Sequence, residues 1–346
     1  MKYIIIFIFT VILAVIVTSC GYVEEDIVPS NQLDIISRFD FPEGDNPWDT
    51  KLIELNKTFE VIPIYKSYTE ADFNKKWTGL SGTIYTFNEM SDEMAPVYID
   101  FLVDEIFYYY NPEIANKVLP MYFYIVDNFR QGAQAEQIMA YHNSGFDFWY
   151  IAYYSNQPNF PHSLSYPGGL EYPSDVETLV KWHSGSELSE DEQEVIRACR
   201  NAGIYMYIEK SIDRELIEEP AGFKNGVDYT TKITYSDNDL TDPDNFMNRG
   251  FVHRVEPRTI IRQDLNIYLW HFRTLRKQYS LYSLAVPNFD FKCYIRMGMR
   301  FTKDEFEVQY PPATYPLINQ RYSLVVNHMK DAYGIDLPKI AEGIKY

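Results

Sequence analysis

Ser189-Glu190-Asp191-Glu192-Gln193-Glu194-Val195-Ile196 opens the stretch that decides how this chain is read. Serine followed three residues later by glutamate is a capping box, in which each side chain satisfies the other's orphan backbone N–H at the start of a helix. The helix is expected to run through Ile208-Glu209-Lys210-Ser211-Ile212 to about Leu216, and Glu218-Glu219-Pro220 closes it. A long capped helix in mid-chain needs a partner layer, and the segments on either side supply candidates.

Toward the N-terminus the pattern alternates between helix and strand. Asn46-Pro47-Trp48-Asp49 carries proline and an acid at the first helical turn, so a helix should begin there. Phe59 to Tyr65 reads as a strand, and 91–110 as a helix with Val97, Phe101, Ile106 and Tyr110 on one stripe. Further strands are expected at Met121–Val126 and Phe146–Tyr154. His142-Asn143-Ser144-Gly145 between them reads as a turn. Pro, Ser, Gly and Asn are dense from Asn156 to about Gly185, which implies a long surface excursion and a sub-boundary near 155–187.

Toward the C-terminus, helices are expected over about Pro257–Tyr279 and Leu317–Gly334, with loop-rich sequence over 224–250. The fold class is therefore α+β, with a mixed N-terminal sheet and a mainly helical C-terminal half. Thirty Tyr and 22 Phe, spread through all segments, suggest thick aromatic layers more than a surface platform.

The first residues set the chain's destination. Lys2, an apolar run from Ile4 to Val17 broken only by Thr10, and the small residues Thr18 and Ser19 describe a secretion signal too short for a comfortable membrane span. Val17-Thr18-Ser19-Cys20 resembles a bacterial lipobox, which implies cleavage after residue 19 and lipid on Cys20. Glu24-Glu25-Asp26 looks like the tag that sends Bacteroidetes lipoproteins to the outer face of the outer membrane. Residues 20–36 then form an acidic tether, and 37–346 the folded domain. Without residues 1–19 the chain has 30 basic and 49 acidic side chains, a net charge of −19. That balance argues against nucleic acid and anionic lipid surfaces as partners.

Cys199 and Cys293 remain, in regions read as helix and strand; a disulfide is permitted by the compartment, and two buried thiols are preferred. The six histidines show no metal-ligand spacing. Among lesser candidates, His253 precedes the expected Pro257–Tyr279 helix and His271 falls within it, and Asp237, Asp239, Asp242 and Asp244 could offer oxygens to calcium but lack EF-hand spacing. Glu187, Glu190, Asp191 and Glu192 are read as acids favoured by the helix dipole.

The capped helix, together with Ser37-Arg38-Phe39-Asp40, Gly250-Phe251-Val252 and the C-terminal Met329-Lys330-Asp331-Ala332-Tyr333-Gly334-Ile335-Asp336-Leu337, carries a resemblance. The chain resembles a family of Bacteroidetes surface lipoproteins, candidate zinc metallopeptidases associated with substrate import, whose genes tend to lie beside a SusC/SusD-type importer pair. The resemblance covers most of the mature chain and implies a zincin-like fold. Active members carry H-E-x-x-H on the capped helix, because histidines at i and i+4 share a face and reach one zinc ion. Here that pattern falls on Ile208, Glu209 and Ile212, so only the glutamate remains. The second helix keeps Asp264 within Arg262-Gln263-Asp264-Leu265-Asn266-Ile267 and loses its flanking acids.

Both halves of the site are depleted together. The resemblance therefore implies a degenerate groove at Ile208, Glu209, Ile212 and Asp264, without metal or cofactor. The expected function is a non-catalytic binding or accessory subunit of a SusC/SusD-like transporter complex, meeting a peptide or glycan. The alternatives are a hydrolase of peptide or glycan that uses other residues in the same groove, and a purely structural lipoprotein.

Overall fold

Asn46 starts the first helix: its backbone N–H donates to Asp49 Oδ2 at 2.8 Å while Pro47 takes the first helical position, where no N–H is needed. The computed structural model describes residues 39–73, 85–131, 141–143, 148–153, 175–231, 241, 243, 245–252 and 287–344. The signal and tether with Cys20, Asp264 with its helix, His253, His271 and the acids of 237–244 lie outside the described residues. The chain divides into a unit of Met1–Asp40 and a unit of Phe41–Tyr346, and every element below belongs to the second.

Helix α1, Pro47–Phe59, buries Leu52, Leu55 and Phe59 along one stripe and stops where Glu60 turns left-handed, with φ 54°. Phe59 therefore closes a helix and does not open a strand as its sequence context suggested, because the apolar 3–4 spacing carries the helix through it. Strand β1 is only Ile62–Ile64. The short helix α2, Glu70–Phe73, and strand β2, Tyr85–Asn88, follow.

The helix expected over 91–110 is present in three pitches: α3 at Ala95–Phe101, a π turn at Leu102–Ile106 and a 3-10 turn at Phe107–Tyr109. The sequence explains the change of pitch. Its apolar stripe steps by four from Val97 to Phe101, by five to Ile106 and by four to Tyr110. A wider turn over the five-residue step keeps all four side chains on the buried face.

After the one-turn helix α4, Pro112–Ala115, come strands β3, Tyr122–Gln131, β4, Tyr141–Asn143, and β5, Phe148–Tyr153. His142 and Asn143 thus lie in a strand and not in the expected turn. The sheet order is β1-β3-β5-β4, with β2 also on β3. Strand β3 runs parallel to β1 (Ile62 opposite Tyr122) and to β5 (Tyr122 opposite Phe148). β2 and β4 pair antiparallel with β3 and β5.

Period-two alternation buries both faces of the sheet. Phe123, Ile125, Trp149 and Ile151 join the main core. On the other face Phe73 is surrounded by Tyr124, Phe148 and Tyr150, at ring separations of 4.8, 5.4 and 5.9 Å, and Tyr68 packs on Tyr124 at 5.8 Å. This is an aromatic layer of the kind the composition suggested.

Helix α5, Asp175–His183, falls inside the expected surface excursion and corrects it. Leu179 is fully buried and Trp182 meets Phe101 edge-on at 5.2 Å, so this segment belongs to the helical layer. Helix α6, Glu190–Asp213, opens with the capping box read from the sequence. Helix α7, Pro287–Arg300, holds Cys293, which the sequence placed in a strand. Nearly every α7 side chain is buried, Lys292, Arg296 and Arg300 included, so its polar side does not face water as that of a surface helix does.

Helices α8, Lys303–Gln309, α9, Pro316–Tyr333, and α10, Leu337–Glu342, complete the C-terminal layer. The architecture is α+β, with a mixed sheet packed against a mainly helical C-terminal half. Cys199 and Cys293 are both buried thiols and are not joined in a disulfide. Among the described residues no helix is long and apolar enough to cross a membrane.

Two contacts fix α6 in the core. Gly203 faces Ile106 so closely that an added Cβ would lie 2.5 Å from Ile106 Cδ1, so a side chain here would part α6 from the π turn. The Arg200 guanidinium pairs with Glu105, itself fully buried and also reached by Trp182 Nε1 at 3.3 Å, and donates to the Ile340 carbonyl at 2.9 Å. Burial pushes the Glu105 carboxyl up, and Arg200 opposes that shift.

Candidate functional site

The helical spacing that would align two ligands places Ile208 and Ile212 one turn apart on α6, and both are buried in the main core. Glu209 lies between them in sequence, and its side chain keeps 29% of its surface exposed. What it meets comes from α7 and from its own helix. Lys292 Nζ approaches Glu209 Oε1 at 3.5 Å and Arg296 Nη2 approaches it at 3.7 Å. The Tyr205 hydroxyl, one turn back, donates to the same oxygen at 3.4 Å.

Tyr205 and Arg296 form the centre of this cluster. Arg296 is fully buried, its guanidinium lies 4.0 Å from the Tyr205 ring centre, and its Nη2 donates to the Tyr205 hydroxyl. The phenol thus accepts from a cation and donates to a carboxylate. Burial holds it well above the usual phenol range, so it stays a neutral relay between the two charges. Lys292 also binds Asp213 Oδ1 at 2.7 Å, which joins the last turn of α6 to α7.

The cluster is built for charge compensation. Two cations and a hydroxyl converge on one glutamate oxygen, whereas a water-activating glutamate needs a metal-bound water beside it. Among the described residues no three His, Cys, Asp or Glu side chains are placed to hold a metal ion. Asp264 lies outside the described residues, and of Ile208, Glu209 and Ile212 it is Glu209 that meets Lys292 and Arg296.

The last two were not among the sequence candidates. Lys292, Arg296 and Arg300 recur every fourth residue, a spacing that shares one face of a helix and equally one face of a strand, so it did not by itself mark α7 as a helix.

Two other polar centres escaped the sequence reading. Arg321 of α9 pairs with buried Asp290 of α7, donates from Nε to the Phe223 carbonyl at 3.0 Å and from Nη2 to the Tyr229 hydroxyl at 2.9 Å. The Asp290 carboxyl is pushed up by burial, with Arg321 and Tyr229 acting against that. This network pins the 220–231 segment, which follows α6, to the C-terminal helices.

The second centre is Glu43, whose two carboxylate oxygens are buried without a well-formed hydrogen bond. Burial raises its pKa to about 8; backbone amides of Lys66 and Tyr65 facing it lower it, Asp49 raises it and the Lys66 charge lowers it. Asp49 is itself occupied by the Tyr65 hydroxyl, which donates to Oδ1 at 2.9 Å.

No family model matches the chain, and no curated protein matches it. Among solved structures, a candidate zinc-binding metallo-peptidase from Bacteroides caccae aligns over 85% of this chain and 88% of its own, at 11% identity and a TM-score of 0.39. At that degree of likeness no residue role passes from one protein to the other.

Proposed function

We propose that this chain is a non-catalytic surface lipoprotein with a zincin-like, metallopeptidase-derived frame. In this reading it is held to the outer membrane by lipid on Cys20 and serves as a binding or accessory subunit of a SusC/SusD-type nutrient importer. The ligand is a peptide or glycan.

The observation that carries the reading is the state of Glu209. It sits between Ile208 and Ile212, where nitrogen ligands would be required, and its carboxylate is engaged by Lys292, Arg296 and Tyr205. Imidazole nitrogens are what tune a catalytic zinc, and isoleucine offers none. The lipobox-like Val17-Thr18-Ser19-Cys20 and the acids Glu24, Glu25 and Asp26 support the anchor and its outward orientation.

The test uses the mature chain and its Glu209→Gln variant. Metal content is measured by mass spectrometry after dialysis against zinc, and cleavage is scored on a mixed peptide library. The expected result is no stoichiometric zinc and no cleavage by either protein. Stoichiometric zinc with peptide cleavage, the cleavage lost in Glu209→Gln, would overturn the non-catalytic reading. For the partner, the lipidated protein is isolated from its membrane. Recovery with a barrel transporter and its lid lipoprotein is expected, and recovery without them would overturn the importer assignment.

A further inference from the structure

The turn after α6 contains Lys224-Asn225-Gly226-Val227, and this is the one Asn-Gly pair in the sequence. Asn225 and Gly226 are both exposed. The turn is held on either side: Asn225 N–H donates to the Gly222 carbonyl at 2.9 Å, and Val227 N–H donates to the Lys224 carbonyl at 3.2 Å. Between these bonds, neither the Gly226 N–H nor the Asn225 side-chain amide has a hydrogen-bond partner among the described residues. Gly226 has φ 77°, a conformation that glycine adopts without strain, and it carries no Cβ to shield its nitrogen.

We propose that Asn225-Gly226 is a self-modifying site at which the asparagine converts to aspartate and isoaspartate. Solvent base removes the Gly226 amide proton as that nitrogen forms a bond to Asn225 Cγ. The Cγ–Nδ2 bond breaks, and ammonia leaves with a proton from solvent. The product is a five-membered succinimide. Water then adds to one of its two carbonyls and opens the ring. Opening at one carbonyl gives aspartate in the original backbone, and opening at the other gives isoaspartate, whose main chain runs through the former side-chain carbon. No oxidant or cofactor enters the balance.

Position gives the change its reach. Phe223 and Tyr229, on either side of the pair, are the two residues through which this segment grips Arg321. Isoaspartate adds one methylene to the main chain between those two grips, and either product adds a negative charge beside Lys224.

The mature folded chain is aged in mildly alkaline buffer, sampled over time and labelled with isoaspartyl methyltransferase and a labelled methyl donor. Peptide mapping then locates the label and the amide-to-acid mass change. Label concentrated at residue 225 and falling to background in Asn225→Gln is the expected result. A folded chain that keeps Asn225 as the amide while the urea-unfolded chain converts it would overturn the proposal. So would label in the variant that persists at the wild-type level.

Discussion

Replacing Glu43 with glutamine should change how stability depends on pH more than it changes stability itself. The native carboxyl has a pKa of about 8 against an ordinary 4.5, so the folded chain holds a proton that the unfolded chain releases. Stability from this group is fully present below about 4.5, declines as pH rises through the interval, and has been lost once pH passes about 8. At about 1.4 kcal/mol per pH unit the whole interval sets an upper bound of about 5 kcal/mol.

The side chain is only partly buried, and solvent screening reduces that to about 2 kcal/mol. Glutamine has the same shape and no charge to desolvate. Urea denaturation of both proteins at several pH values between 5 and 9 measures the difference. The wild-type curve should fall across this range while the Glu43→Gln curve stays flatter, so that the variant is the more stable of the two at pH 9. Parallel curves would refute the reasoning, since they would mean that Glu43 is already ionised and solvated at neutral pH.

Two further substitutions test the packing around α6. Gly203→Ala should cost about 1–3 kcal/mol, because its methyl would lie 2.5 Å from Ile106 Cδ1; a thermal midpoint equal to that of wild type would disprove the close approach. Arg200→Met leaves Glu105 buried without its cation and should cost about 3–5 kcal/mol, most of which a second change, Glu105→Leu, should restore. Equal chemical stability of the single and double variants would count against the buried pair.

The parts of the fold that could be read from sequence are those with one wet face. Helix α1 announced itself through Pro47 and Asp49, α6 through Ser189 and Glu192, and the stripe Val97, Phe101, Ile106 and Tyr110 held even its irregular step. Helix α7 was missed for the opposite reason. Phe291, Cys293, Tyr294 and Ile295 are all buried, so the apolar residues form no single helical stripe, and the aromatic and β-branched side chains among them favour strands. Helix α5 was hidden by the Pro- and Gly-rich residues before it. The strand expected from Phe59 lost its first residues to α1.

Of the candidate site, sequence identified Ile208, Glu209 and Ile212 and their helix. It could not supply Lys292 and Arg296, because contacts between residues more than 80 positions apart leave no local pattern. The basic residues at every fourth position were legible only once α7 was known to be a helix.

The bond from Arg200 to the Ile340 carbonyl also bears on the order in which the molecule can be completed. Arg200, from the middle of the sequence, reaches its full set of partners only when Ile340 of α10 arrives, 140 positions later. Any chain that stops before Ile340, whether still being synthesised or clipped, carries Arg200 and Glu105 without that carbonyl. Helix α10 is thus a closing piece for a buried charge pair placed far before it in the sequence.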